Sequence, residues 1–141
     1  MSEQHRSLPR REAPAVRIEI TDWAKAEAQV MPVRIAVFVV EQGVPEDIER
    51  DDFDAVSRHA IARDAGGAVV ATGRLLPDGH IGRMAVAAPL RAKGVGGAVL
   101  EALVAEAVRT GLAEVALNAQ VHALAFYRRH GFAEYGDVFM E

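Results

Sequence analysis

From Val16 to Ile20 apolar and polar residues alternate, and the apolar ones are β-branched, which predicts a half-buried strand. Thr21 and Asp22 can cap a helix start. Trp23, Val30, Arg34 and Phe38 then recur at helical spacing, in a helix that Pro32 should kink or divide and that should end near Gly43 and Pro45. His59 to Arg63 and Val69 to Leu76 predict two strands joined by a turn at Gly66-Gly67, hence an antiparallel hairpin. A second turn at Asp78-Gly79 leads into a strand from Ile81 to Val86. Val95, Val99, Leu100, Leu103, Val104, Ala107 and Val108 form one apolar stripe of a helix that Gly111 stops. Glu114 to Leu117 predicts a short buried strand, Leu124 to Arg129 a short helix ended by Gly131, and Phe132 to Tyr135 a last strand.

The predicted order is β, α, three β, α, β, α, β, without internal repeat or linker. This pattern predicts one α/β domain over residues 15–141 behind a flexible, polar tail over residues 1–14. Because hairpins precede the helical crossover, the central sheet should be mixed.

Charge and composition narrow the chemistry. With 16 basic against 20 acidic residues the formal charge is −4, which carries no nucleic-acid footprint. No apolar run reaches membrane-spanning length, so neither nucleic acid nor membrane is expected as a partner. The absence of cysteine excludes disulfides, thiolate metal sites and a cysteine nucleophile, and fits a cytoplasmic location. Histidines at 5, 59, 80, 122 and 130 lack metal-ligand spacing, so no metal is expected. From Glu41 to Asp54 seven acids stand against one base, which predicts a distinctly negative loop or face.

The segment from Arg83 to Leu100 runs strand, loop, helix. At its centre Arg91-Ala92-Lys93-Gly94-Val95-Gly96-Gly97 places three glycines and two cations at a helix start. Free amides there carry partial positive charge and favour a phosphate, and glycine lets a ligand approach the backbone. A Walker loop needs a hydroxyl residue entering the helix, where Ala98 stands. A dinucleotide fingerprint needs a third glycine at the position held by Val99, and normally comes early in a run of parallel strands. Arg91-x-x-Gly94-x-Gly96 instead resembles the pyrophosphate loop of the GCN5-related N-acetyltransferase (GNAT) superfamily. Without a ligand, the same residues would be a glycine-rich helix start.

Downstream residues extend the resemblance. Asn118 comes directly after the predicted fifth strand, and Ala125-Phe126-Tyr127-Arg128-Arg129-His130-Gly131-Phe132 looks like the superfamily signature in which a helix tyrosine precedes Gly-Phe. Val37-Phe38-Val39-Val40-Glu41-Gln42, Asp51-Asp52-Phe53-Asp54 with His59, and Ala119-Gln120 look like its ElaA-type branch. The resemblance spans Ile18 to Phe139. It implies a mostly antiparallel sheet splayed between the fourth and fifth strands and flanked by helices. Members commonly continue past Phe139-Met140-Glu141, which implies a shortened last strand here.

The resemblance further implies acetyl-CoA as the acyl-donor cosubstrate. The main chain of Met84, Ala85 and Val86 would face the pantetheine arm. Arg91, Lys93, Gly94, Val95, Gly96 and Gly97 would hold the pyrophosphate, and Asn118 and Tyr127 would complete the cofactor site. Tyr127 would protonate the departing thiolate, while Phe126 and Phe132 read as core. Asn118 and Tyr127 also have plain structural readings, as a strand end and a buried ring with a solvated hydroxyl.

An amine acceptor, small molecule or peptide, must lose its proton before attack, and Glu41, Asp52 and Asp54 are candidate bases. The acidic stretch would attract a cationic acceptor, with Asp52, Asp54, Glu41 and His59 lining its site. The alternatives are a solvated charge run and a Glu41 paired with Arg34 or Arg74. His59 would orient an acid or be structural, and His122 would start a helix or touch the cofactor near the fifth-strand end. Such domains are often homodimers. The rival function is a catalytically silent acyl-CoA-binding module that uses the acidic stretch for a protein partner.

Overall fold

Alternation along Val16–Thr21 makes one edge strand, β1, with its apolar side chains turned partly inward. Asp22 then accepts a hydrogen bond from the Lys25 amide at 3.1 Å and starts helix α1, Trp23–Arg34. Pro32 lies inside α1 without ending it. The change comes three residues later, where the run Ile35–Glu41 continues as a wide π-type helix. Proline removes one rung of the ladder, and the β-branched residues beyond it resist tight helical packing. The helix is thus divided, as expected, but beyond the proline. Gly43, at φ +74°, closes it.

The computed structural model describes residues 16–45, 51–117 and 124–133. Within them, β2 (Arg58–Asp64), β3 (Val69–Leu75) and β4 (His80–Val86) succeed one another in antiparallel order, with β1 paired to β2. The crossover helix α2, Val95–Arg109, leads to β5, Ala116–Leu117, which lies parallel to β4. The order β1-β2-β3-β4-β5 gives the mixed, mostly antiparallel and open sheet. The described β4–β5 pairs are His80 with Ala116 and Ile81 with Leu117, so β4 runs on from Gly82 to Val86 past the end of β5.

Strand β5 is shorter than Glu114 to Leu117, and Ala116 is exposed rather than buried. Gly79 sets the limit. At φ +97°, a β-carbon on Gly79 would lie 2.6 Å from the Glu114 carbonyl oxygen, and the Gly79 carbonyl accepts from the Ala116 amide at 3.0 Å, where pairing begins. Helix α3, Leu124–Arg129, has the predicted bounds. Of the last strand expected over Phe132 to Tyr135, Phe132 and Ala133 lie in no strand, while residues 134 and 135 lie outside the described residues.

The sheet separates two packed layers. On one face Ala60, Ala62, Ala71, Leu75 and Ile81 meet Val95, Val99, Leu100, Leu103 and Ala107 of α2. Small sheet residues let α2 come close. A β-carbon on Gly73 would lie 2.8 Å from Leu103 Cδ1 and 2.9 Å from Val99 Cγ1. Each fully buried valine or leucine of this layer contributes about 1.5–3 kcal/mol. On the opposite face Ile61 packs with Ala26 and Val30, and Ala85 with Val33 and Val37.

Candidate active site

Strand β4 is irregular where it matters. Thr72 pairs with Ala85 and Arg74 with Gly82, so Arg83 and Met84 together oppose Gly73 in a bulge. Arg83 takes φ +49°, a conformation that costs a non-glycine residue about 1–2 kcal/mol. Met84 packs toward α2 beside Gly73, whereas Arg83 reaches Asp51 with a 3.2 Å hydrogen bond.

Beyond β4, a short 3-10 turn, Ala88–Leu90, sets up the glycine loop. Ala92 and Gly94 have φ +62° and +84°, and Gly94 caps α2 without a side-chain hydrogen bond to its first amides. Those amides have no partner within the helix. The Val95 side chain is buried in the core, which leaves its main chain for any ligand. The glycines play different parts. A β-carbon on Gly96 would meet only Val86 Cγ2, at an ordinary 3.6 Å, so packing does not demand glycine there. One on Gly97 would press to 2.9 Å of His130 Cε1, so Gly97 makes room for His130 as well as for a helix start. Lys93 is exposed. Arg91 Nε donates to the Val86 carbonyl at 3.0 Å, and its Nη2 lies 2.7 Å from Glu41 Oε2.

Glu41 therefore pairs with Arg91, not with Arg34 or Arg74. Those two arginines close on Asp54: Arg34 donates from Nη1 and Nη2 at 3.0 and 3.2 Å, and Arg74 from Nη1 at 3.0 Å. The same Arg74 nitrogen reaches Asp51 at 2.6 Å. His59 Nε2 donates to the Asp54 carbonyl at 2.8 Å, and its ring lies 4.8 Å from that of Trp23. Burial would raise the Asp54 carboxyl, but hydrogen bonds and charge from Arg34, with help from Arg74, hold it below its ordinary value. For His59 burial dominates and lowers its value, keeping the ring neutral.

Asp54 and His59 are each only 1% exposed, and their hydrogen bonds tie the loop ahead of β2 to α1 and the sheet. Of the described carboxylates in the acidic stretch, Glu41, Asp51 and Asp54 are paired with arginine. Asp52 is exposed. The arginine network was not singled out in the sequence. Its signal was a cation at inward-facing positions, Arg34 on the buried face of α1 and Arg74 inside β3.

On α3, Tyr127 packs edge-on to Phe126 and Phe132 at 5.1 and 6.1 Å between ring centroids, and burial raises its phenol. Phe126 and Phe132 are partly buried against the core. His130 ties this helix to α2: Nδ1 lies 2.8 Å from Glu101 Oε1, and the ring is 4.7 Å from Phe126. Asn118 and His122 lie outside the described residues. Among the described residues no group of three or more His, Asp or Glu could hold a metal ion, and no helix is long and apolar enough to cross a membrane.

Known proteins share this architecture. Residues 24–141 match the family model described as an acetyltransferase (GNAT) domain. The uncharacterized N-acetyltransferase YjcF of Bacillus subtilis is 37% identical over 114 residues, 77% of this chain and 81% of the relative. The crystal structure of an acyl-CoA N-acyltransferase from Pseudomonas aeruginosa superposes with a TM-score of 0.77 at 31% identity, over 88% of this chain and 92% of that one. That of Escherichia coli ElaA gives 0.78 at 27% identity, over 89% and 93%. With its open mixed sheet, bulged β4 and glycine-led α2, the chain belongs to the acetyltransferase (GNAT) family and is an acyl-CoA-dependent N-acetyltransferase.

Proposed function

We propose that the protein moves an acetyl group from acetyl-CoA to a primary amine by direct transfer in a ternary complex. The observation that carries this reading is the start of α2: uncapped amides, the Arg91 guanidinium nearby, and a Gly96 that internal packing does not require. In this reading Arg91, Lys93 and the amides from Gly94 to Gly97 hold the pyrophosphate. The main chain of Met84, Ala85 and Val86 orients the thioester arm, with amides near Val86 polarising the carbonyl oxygen. Asn118 hydrogen-bonds the cofactor arm. Tyr127 donates its proton to the thiolate; burial raises the phenol, so it remains protonated at neutral pH and has a proton to give.

The amine attacks the thioester carbon as a neutral nucleophile. For a lysine-like amine, neutralisation at pH 7 costs about 4.6 kcal/mol, so a base is required. Glu41 suits this role better than the sealed Asp54, being 37% exposed at its side chain. Among the described residues, Asp52 is a second exposed acid on the proposed acceptor side.

The test is CoA release from acetyl-CoA against a panel of polyamines, aminoglycosides and lysine-containing peptides. Turnover with at least one amine is expected, with the acetyl group recovered as an amide. Tight acetyl-CoA binding without transfer to any amine would sink the reading in favour of a silent binding module.

A further inference from the structure

The guanidinium of Arg91 has two claimants. Its Nη2 faces Glu41 Oε2 at 2.7 Å, while its position ahead of α2 is the one the proposed function gives to a pyrophosphate partner. The ion pair joins two parts of the chain that the proposed reaction keeps apart: the end of the π-type helix, on the acceptor side, and the loop that receives the donor. We infer that Glu41 is a displaceable counter-ion of Arg91, so that acyl-CoA releases this carboxylate toward the acceptor side by taking its partner. The inference rests on the proposed donor role of the Arg91 loop.

The strengths of the two pairs set the direction of exchange. Both side chains are about two-fifths exposed, at 43% and 37%, and solvent-exposed pairs of this kind are weak. A pyrophosphate brings more charge and several strong acceptor oxygens to the same fork of donors, and the helix amides add to its hold. Arg91 need not move far, because Nε stays anchored on the Val86 carbonyl at 3.0 Å. Glu41 would then face a like-charged group and turn away.

The coupling is reciprocal by linkage. A cationic amine that engages Glu41 frees Arg91, and so tightens acyl-CoA by the same factor by which acyl-CoA tightens the amine. The factor is small, about fivefold at most, because a half-exposed ion pair supplies no more.

The experiment is calorimetric titration of CoA into the wild-type chain, Glu41→Gln, Arg91→Ala and the double variant, with circular dichroism to establish that each is folded. Glu41→Gln should tighten CoA by about two- to fivefold, within the range of a half-exposed pair, and should have no effect once Arg91 is alanine. Weaker or unchanged CoA binding in Glu41→Gln would overturn the inference, since Glu41 would then orient Arg91 or ignore it. Equal tightening in the Arg91→Ala background would overturn it too, by showing a general charge effect. Both outcomes leave the wild-type chain's own binding of acyl-CoA standing. Failure of the folded wild-type chain to bind CoA would instead remove the donor-site reading, and this inference with it.

Discussion

Arg34 grips Asp54 through two parallel hydrogen bonds of 3.0 and 3.2 Å, and both side chains are almost wholly withdrawn from solvent. The pair ties α1 to the loop ahead of β2, and Arg74 joins it from β3. Removing one partner of a buried pair strands the other. Asp54→Asn should therefore destabilise the protein by about 3–5 kcal/mol, measured by urea denaturation. A loss below about 1 kcal/mol, the range of surface pairs, would show that the network is not a structural anchor.

His59 makes stability depend on pH. Burial lowers its value in the folded chain relative to about 6.5 when unfolded. The unfolded chain therefore binds the proton more readily. The stabilisation is present above the unfolded value and is lost as pH falls through it toward the lower folded value. The denaturation midpoint should drop between pH 7.5 and pH 5, and His59→Gln should show a shallower drop. Parallel profiles for the two proteins would remove His59 as a source of that slope.

Tyr127→Phe keeps the ring that packs against Phe126 and Phe132 and deletes only the hydroxyl. If Tyr127 is the acid, kcat should fall by about 10²- to 10⁴-fold while acetyl-CoA affinity and stability hold. Retention of full activity with unchanged affinity would move the proton donor elsewhere.

Gly96→Ala separates folding from binding. The added methyl group meets only Val86 Cγ2 at 3.6 Å, and alanine is the better helix residue, so stability should hold or rise by up to about 1 kcal/mol. Acyl-CoA affinity should fall, because the backbone is no longer open to close approach. Unchanged affinity by calorimetry would show that the ligand does not approach this residue.

Period and punctuation made most elements legible. The alternation over Val16 to Ile20, the α2 stripe ended by Gly111 and the α3 bounds are all local properties, and the structure carries them, except that Val108 of the stripe faces solvent. What escaped were relations between distant residues. The pairing of Asp54 was not legible because its partners stand 20 residues away on either side, at Arg34 and Arg74. Gly97 read as a ligand glycine or a plain helix start because the ring that fills its missing side chain, His130, comes from a distant part of the chain. The length of β5 escaped for the same reason, since Gly79 sets where its pairing begins. The glycine loop itself was recognisable because its chemistry is contained in consecutive residues.

The bulge at Arg83 and Met84 gives β4 two opposite parities. Before it, the odd-numbered Ile81 faces the α2 layer; after it, the even-numbered Met84 and Val86 do, while odd-numbered Ala85 meets α1 and the π-type helix. Strand β4 is one residue longer than the stretch of β3 it answers. Deleting one of the two bulge residues would restore an ordinary ladder and leave Ala85 and Val86 on their present layers, whereas regularising the strand with both residues kept would turn its remaining length inside out and exchange the layers served by Ala85 and Val86.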